Sequence, residues 1–179
     1  MENPPPTRAR PQVRGVPKQR RKIRKPTDYS DLEKRIKRLE DIEAIKQLKA
    51  RYCAACDDNH NPEKLASLFA TDGIWEGEGI GRYQGHAAIR ALFEGSRAAV
   101  SFSQHNVMNP IIEIDGDRAK GHWYFFAPFT FRDGNRQIWS AARYEDDYVK
   151  IDSNWKFQHL RVFPRVFAPY ETGWAKKES

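Results

Sequence analysis

Residues 118–151 read RAKGHWYFFAPFTF, RDGN, RQIWSAARYEDDYVKI, and this stretch decides the fold. Two aromatic-rich runs flank Asp133-Gly134-Asn135, a turn signal between strands. Asp115-Gly116 and Asp152-Ser153-Asn154 are turn signals on either side. They divide the second half of the chain into four runs, at about 102–114, 118–132, 136–151 and 155–168. Each is rich in Trp, Tyr, Phe, Val and Ile. Consecutive hairpins of this kind make an antiparallel meander.

Upstream the hydrophobic period changes from two to between three and four. Ser30-Asp31-Leu32-Glu33 has the form of a capping box, with Ser30 as cap and Glu33 reaching back. Leu32, Ile36, Leu39, Ile42, Ile45, Leu48 and Tyr52 follow as one apolar stripe, until Asp57-Asp58-Asn59 ends the helix. For the first half of that stripe a coiled-coil dimer is a rival reading. Asn61-Pro62 opens a second helix, with Leu65, Leu68 and Phe69 inward. Ile74-Trp75-Glu76 is a short strand, Gly79 to Gly85 a hairpin, and His86 to Phe93 a third helix that Gly95 ends. Three helices ahead of such a sheet predict an α+β fold, with the helices covering one concave face.

The net charge of +7 is unevenly placed. Residues 1–26 carry nine Lys or Arg and one acid, Glu2, so the rest of the chain is nearly neutral. The same segment holds six of the eleven prolines and almost no large apolar residue, which predicts a disordered basic tail over 1–28 ahead of one domain at 29–175. Three roles are open for it: a solubilising extension, an anchor for nucleic acid or an acidic partner, or a targeting peptide. The near-neutral domain argues against nucleic acid binding beyond this tail, which leaves the tail as the one segment open to nucleic acid or an acidic partner. No apolar run approaches a membrane span, and two cysteines make no secreted disulfide framework. A cytoplasmic protein is the expectation.

The chemistry centres on Asp57, at the end of the first helix, and His105, in Ser103-Gln104-His105-Asn106-Val107 at the start of the first long run. An Asp that holds a His makes a general base, and such a base in an apolar pocket removes a proton from carbon. In a strand His105, Val107 and Asn109 share a face. Tyr52 and Asp57 are five residues apart, about 140° around a helix, so both line one pocket only if the helix unwinds at Cys56-Asp57. Trp75, Trp123, Tyr124, Phe126 and Trp139 either wall a pocket for a ring-containing ligand or are plain core. Arg143 either binds an anionic group or pairs with Glu145 or Asp147. His122 is a candidate pocket residue, while His60, His86 and His159 read as loop or surface positions. Cys53-Ala54-Ala55-Cys56 lies at a helix C-terminus, where the dipole opposes thiolate, and zinc would need two further ligands.

A family resemblance rests on particular segments. They are Ala44-Ile45-Lys46-Gln47-Leu48 with Arg51-Tyr52, then Asp57, then Leu65 to Gly73, Ser103-Gln104-His105-Asn106, Arg143 to Tyr148 and Trp155-Lys156-Phe157. In these the chain resembles the SnoaL-like branch of the nuclear-transport-factor-2-like superfamily. That branch includes scytalone dehydratase, hexachlorocyclohexane dehydrochlorinase, bile-acid 7α-dehydratase and polyketide cyclases. The resemblance covers roughly residues 31–174 and implies a cone-shaped α+β barrel, its helices packed on a curved, mostly antiparallel sheet. It implies that His105 takes the proton, Asp57 stabilises the imidazolium and Tyr52 assists the leaving oxygen. It implies no metal or organic cofactor, and a homo-oligomer, trimer or dimer. A second catalytic histidine has no certain counterpart, His122 being the nearest.

The expected function is therefore a cofactor-independent lyase, a dehydratase, or an isomerase. It would act on a small hydrophobic, cyclic, steroid- or polyketide-like substrate through Asp57, His105 and Tyr52. Trp75, His122, Tyr124, Trp139 and Arg143 would be the substrate-binding residues. The alternative is a non-catalytic binding or assembly module with a basic tail for an acidic partner.

Overall fold

The computed structural model describes residues 29–175, so the expectation for the basic segment 1–28 lies outside the described residues. Helix α1 spans Tyr29–Asp57, α2 Pro62–Ser67 and α3 Gly85–Ala99. The strands are β1 Phe69–Gly77, β2 Gly81–Gln84, β3 Val100–Ser103, β4 Asn106–Asp115, β5 Arg118–Phe131, β6 Arg136–Ile151 and β7 Asn154–Pro169. They form one strongly curled sheet in the order β2-β1-β7-β6-β5-β3, with β4 also on β5. All neighbours are antiparallel except β1 and β7, which run parallel. The fold is the expected α+β cone.

The turn signals fall where the hairpins are. Gly116, Gly134, Asn135, Asp152 and Ser153 all adopt the left-handed conformation between successive strands. Asn61 caps α2, its Oδ1 accepting from the Lys64 amide at 3.1 Å.

Several expectations change. Helix α1 already includes Ser30, and only the second half of the apolar stripe is buried. Leu32, Ile36 and Leu39 are exposed, whereas Ile45, Leu48 and Tyr52 enter the core. The run through Thr71-Asp72-Gly73 is part of β1 rather than a turn, accommodated by a register irregularity between Phe69 and Ile74. Helix α3 runs through Gly95 to Ala99, because Ile89 and Phe93 anchor its inner face and one glycine lowers helix stability by only about 1 kcal/mol.

The first long run is two strands, not one. β3 pairs with the end of β5 and β4 with its start, and Gln104-His105 lies in the break between them. Pro128 of β5 faces this break. Its carbonyl accepts from the Gln104 amide at 3.3 Å, but it has no N–H to return. Asn109 is left-handed, with a further register shift between Met108 and Ile111, so His105, Val107 and Asn109 do not share a face by simple alternation.

The core between α1 and the sheet contains an ion pair. Lys49 Nζ lies 2.9 Å from Asp146 Oδ2, both side chains being fully buried. The ammonium sits 3.4 Å from the centroid of the Tyr144 ring. Tyr148 donates its O–H to the same carboxylate oxygen at 2.8 Å, and Trp123 donates to Tyr148 at 3.0 Å. Burial pushes the Asp146 pKa up against the opposing pull of Lys49.

Candidate active site

The mouth of the cone encloses a cavity of about 570 Å³. Tyr52 and Cys56 of α1, Trp75 of β1, Phe125 and Phe129 of β5, and Tyr144 of β6 supply much of its wall. Helix α3 closes one side with the large Leu92 and Phe93 and the small Ala91, Gly95, Ser96 and Ala99. Among the described residues, no Lys or Arg lines it. Such a space suits an uncharged, ring-sized molecule.

Asp57 and His105 meet at its edge. His105 Nδ1 lies 2.6 Å from Asp57 Oδ1. The same carboxylate accepts the His105 backbone N–H, at 2.9 Å to Oδ2, and the Ser103 hydroxyl at 3.1 Å. Partial burial works to raise the Asp57 pKa, but the hydrogen bonds from His105 and Ser103 outweigh it, and the group lies below the ordinary carboxylate range. An ionised carboxylate only accepts, so in the neutral imidazole the hydrogen sits on Nδ1 and Nε2 carries the lone pair. The His105 side chain is only 7% exposed and lines the cavity. Phe125 and Phe129 hold its ring, with centroids at 5.2 and 5.4 Å.

The helix stays intact through Asp57, so the expected unwinding at Cys56-Asp57 does not occur. The 140° between Tyr52 and Asp57 is resolved differently. Tyr52 lines the cavity, whereas Asp57 reaches sideways to the strand break and His105 does the facing inward. That break frees the His105 N–H from the ladder, so the carboxylate can grip both the main chain and the ring.

Tyr52 is buried, and its hydroxyl oxygen accepts from Trp75 Nε1 at 3.0 Å. Burial raises its pKa well above the ordinary phenol value, so it stays protonated. Trp75 lines the cavity beside it.

Four sequence candidates are elsewhere. His122 and Tyr124 on β5, and Trp139 and Arg143 on β6, lie on the opposite face of the sheet and do not line this cavity. The pleat decides this: Trp123, Phe125, Ser140, Ala142 and Tyr144 alternate with them and are buried inward. Trp139 stacks on Phe126 at 5.3 Å, and Arg143 pairs with Glu145 at 2.8 Å.

One residue was missed. His60 reads as a loop position, yet it is only 6% exposed and lines the cavity. Burial, helped by the neighbouring His105, pushes its pKa down to about 4, so it is neutral. His86 and His159 are not free surface groups either, hydrogen-bonding the Phe69 carbonyl and Glu76. Cys53 and Cys56 are free and buried, and burial pushes Cys53 up to about 11 and Cys56 well above its usual value. Such thiols are inert. Among the described residues no group of three or more His, Cys, Asp or Glu could hold a metal ion.

Residues 37–161 match the SnoaL-like domain family. The chain belongs to that family. Among curated SnoaL-fold relatives, it is 27% identical over 118 residues to gamma-hexachlorocyclohexane dehydrochlorinase of Sphingobium indicum, covering 63% of this chain and 73% of the relative. The crystal structure of the type-3 hexachlorocyclohexane dehydrochlorinase from Novosphingobium barchaimii superposes with a TM-score of 0.70. That match has 26% identity and covers 79% of this chain and 99% of the other. A scytalone-dehydratase-like structure from Novosphingobium aromaticivorans superposes with a TM-score of 0.69 at 24% identity, covering 74% and 89%, a likeness of fold. These relatives support lyase-type activity in general for this SnoaL-like chain. No helix among the described residues is long and apolar enough to cross a membrane.

Proposed function

We propose that this SnoaL-like protein is a cofactor-independent lyase that eliminates water from a cyclic β-hydroxy carbonyl compound. The observation that carries the reading is the 2.6 Å contact of Asp57 with His105 Nδ1 at the edge of an apolar cavity. It leaves Nε2 as the base, and the imidazolium that forms on proton transfer sits against a carboxylate. Tyr52, still protonated, hydrogen-bonds the departing hydroxyl while Trp75 fixes its oxygen. The substrate is uncharged where it enters the cavity, since among the described residues no cationic side chain lines the wall. A steroid- or polyketide-like ring system fits the aromatic lining. Isomerisation would use the same base, and elimination is favoured by the relatives named above.

The test is a panel of cyclic β-hydroxy ketones followed by the absorbance of the conjugated enone. Turnover by the wild-type protein should fall by about 10²–10⁴-fold in His105→Ala and in Asp57→Asn, with the fold intact by circular dichroism. Turnover equal in wild type and His105→Ala would sink the assignment of His105 as base. Tyr52→Phe should lower kcat more than it raises KM, because its hydrogen bond strengthens as the hydroxyl leaves.

A further inference from the structure

We propose that His60 is the electrophilic residue of this site, its neutral imidazole N–H donating to the carbonyl oxygen of the substrate that His105 deprotonates. This rests on the elimination reading above. Removing a proton from carbon leaves an electron pair that must move onto an oxygen, and that oxygen needs a donor. Among the described residues no Lys or Arg lines the cavity to supply one, and of the neutral ring donors on the wall His60 is the one packed against His105. Tyr52 is engaged by Trp75 and serves the leaving hydroxyl.

His60 fits the vacancy in four respects. Its ring lies 6.1 Å from that of His105, inclined at 74°, so one small substrate can touch both. It is almost wholly buried, yet its ring makes no hydrogen bond to another described residue. Its ring nitrogens are not sealed off in the core, so a ligand or water in the cavity can reach them. It is held rather than loose: Asn59 and His60 are consecutive left-handed residues, with φ of 52° and 48°. The His60 amide donates to Cys56 O and the Asn61 amide to Ala55 O, each at 2.9 Å, while Arg97 Nε donates to Asn59 O at 3.1 Å. Finally, burial keeps the ring neutral, so one nitrogen is an N–H donor without bringing a charge into the cavity.

The steps balance. His105 Nε2 takes the proton α to the carbonyl, the C–H pair becomes the enolate double bond, and the carbonyl π pair moves to the oxygen held by His60. The oxygen pair then re-forms the carbonyl, the enolate C=C pair becomes the new Cα=Cβ bond, the β-hydroxyl leaves with the C–O pair, and the His105 imidazolium gives its proton to that hydroxyl oxygen. Water leaves, and both histidines end neutral.

The experiment uses 4-nitrophenol, whose oxygen mimics the enolate oxygen, titrated into the full-length protein and followed by absorbance and by proton NMR of the aromatic lining. Wild type should bind it in the cavity. His60→Phe, which keeps the volume but no donor, should bind about five- to tenfold more weakly, the equivalent of one hydrogen bond. His60→Gln, which keeps a side-chain N–H, should recover part of that loss. Equal affinity in wild type and His60→Phe would overturn the proposal, as would failure of the wild type to bind. Failure of the elimination reading is seen separately, as absent turnover in the ketone panel, because phenol binding requires no turnover.

Discussion

Burial, helped by His105, keeps His60 neutral well below the pH at which an ordinary histidine gains its charge, and that has a consequence for stability. Its folded pKa is about 4, against an ordinary histidine value of 6.5. Between those values the unfolded chain binds a proton that the folded chain does not. The contribution is therefore fully present above about pH 6.5 and is lost as pH falls toward 4. By pH 5 the loss amounts to about 2 kcal/mol. Urea unfolding at pH 7 and pH 5 should show this drop in wild type and a smaller one in His60→Gln. Asp57 adds a loss at lower pH: its folded pKa is depressed, so its contribution is present above the unfolded carboxylate value and disappears as pH falls through the folded one. His105 and Asp57 could be picked out because each sits at the edge of an element whose pattern is plain in the sequence. His60 could not, because a left-handed pair after a helix reads only as a turn, and the polar run Asp57 to Asn61 gives no sign of burial. Asn59 and Asn61 around it, the first in the left-handed region and the second an N-cap, were the available signal for a built connection.

At the scale of elements, α3 presents to the cavity four small residues beside the large Leu92 and Phe93. Gly95 has nothing within 4 Å of where a Cβ would stand. Gly95→Ala should therefore raise stability by about 0.5–1 kcal/mol, through helix propensity alone, without distorting the wall. A chemical denaturation midpoint measures it, and a fall in stability would mean the position is more crowded than the geometry shows. The strands teach the limit of alternation. Runs 118–132 and 136–151 are recognisable as strands by their aromatic content, but aromatics occur on both faces. Tyr124 and Trp139 look as apolar as Phe125 and Tyr144, and only the paired register tells which set points inward. The break at Gln104-His105 was hidden for a different reason: it depends on Pro128 in another strand, a partner that local pattern does not reveal.

Across the whole molecule, α1 is joined to the sheet by a charge as well as by apolar packing. Lys49 and Asp146 are 97 residues apart in sequence and both wholly shielded. Removing one partner leaves the other buried and unpaired, so Lys49→Met should lower stability by about 3–5 kcal/mol. Lys49→Met with Asp146→Leu should recover most of that loss, since a buried pair replaced by apolar groups is often neutral. A thermodynamic cycle of denaturation midpoints checks both values, and a double variant as unstable as the single one would show that the pair itself contributes net stability. Lys49 was not legible as a core residue, since a lysine beside an apolar stripe normally reaches solvent. The overall cone was legible, because turn chemistry, strand period and helix period all agreed on it.

The small residues of α3 and the grip on His105 belong to different parts of the chain. Ala91, Gly95, Ser96 and Ala99 shape the room, while Asp57 and the break after β3 hold the tool. Substitution along one helix can thus enlarge or shrink the cavity while the Asp57–His105 pair stays where it is.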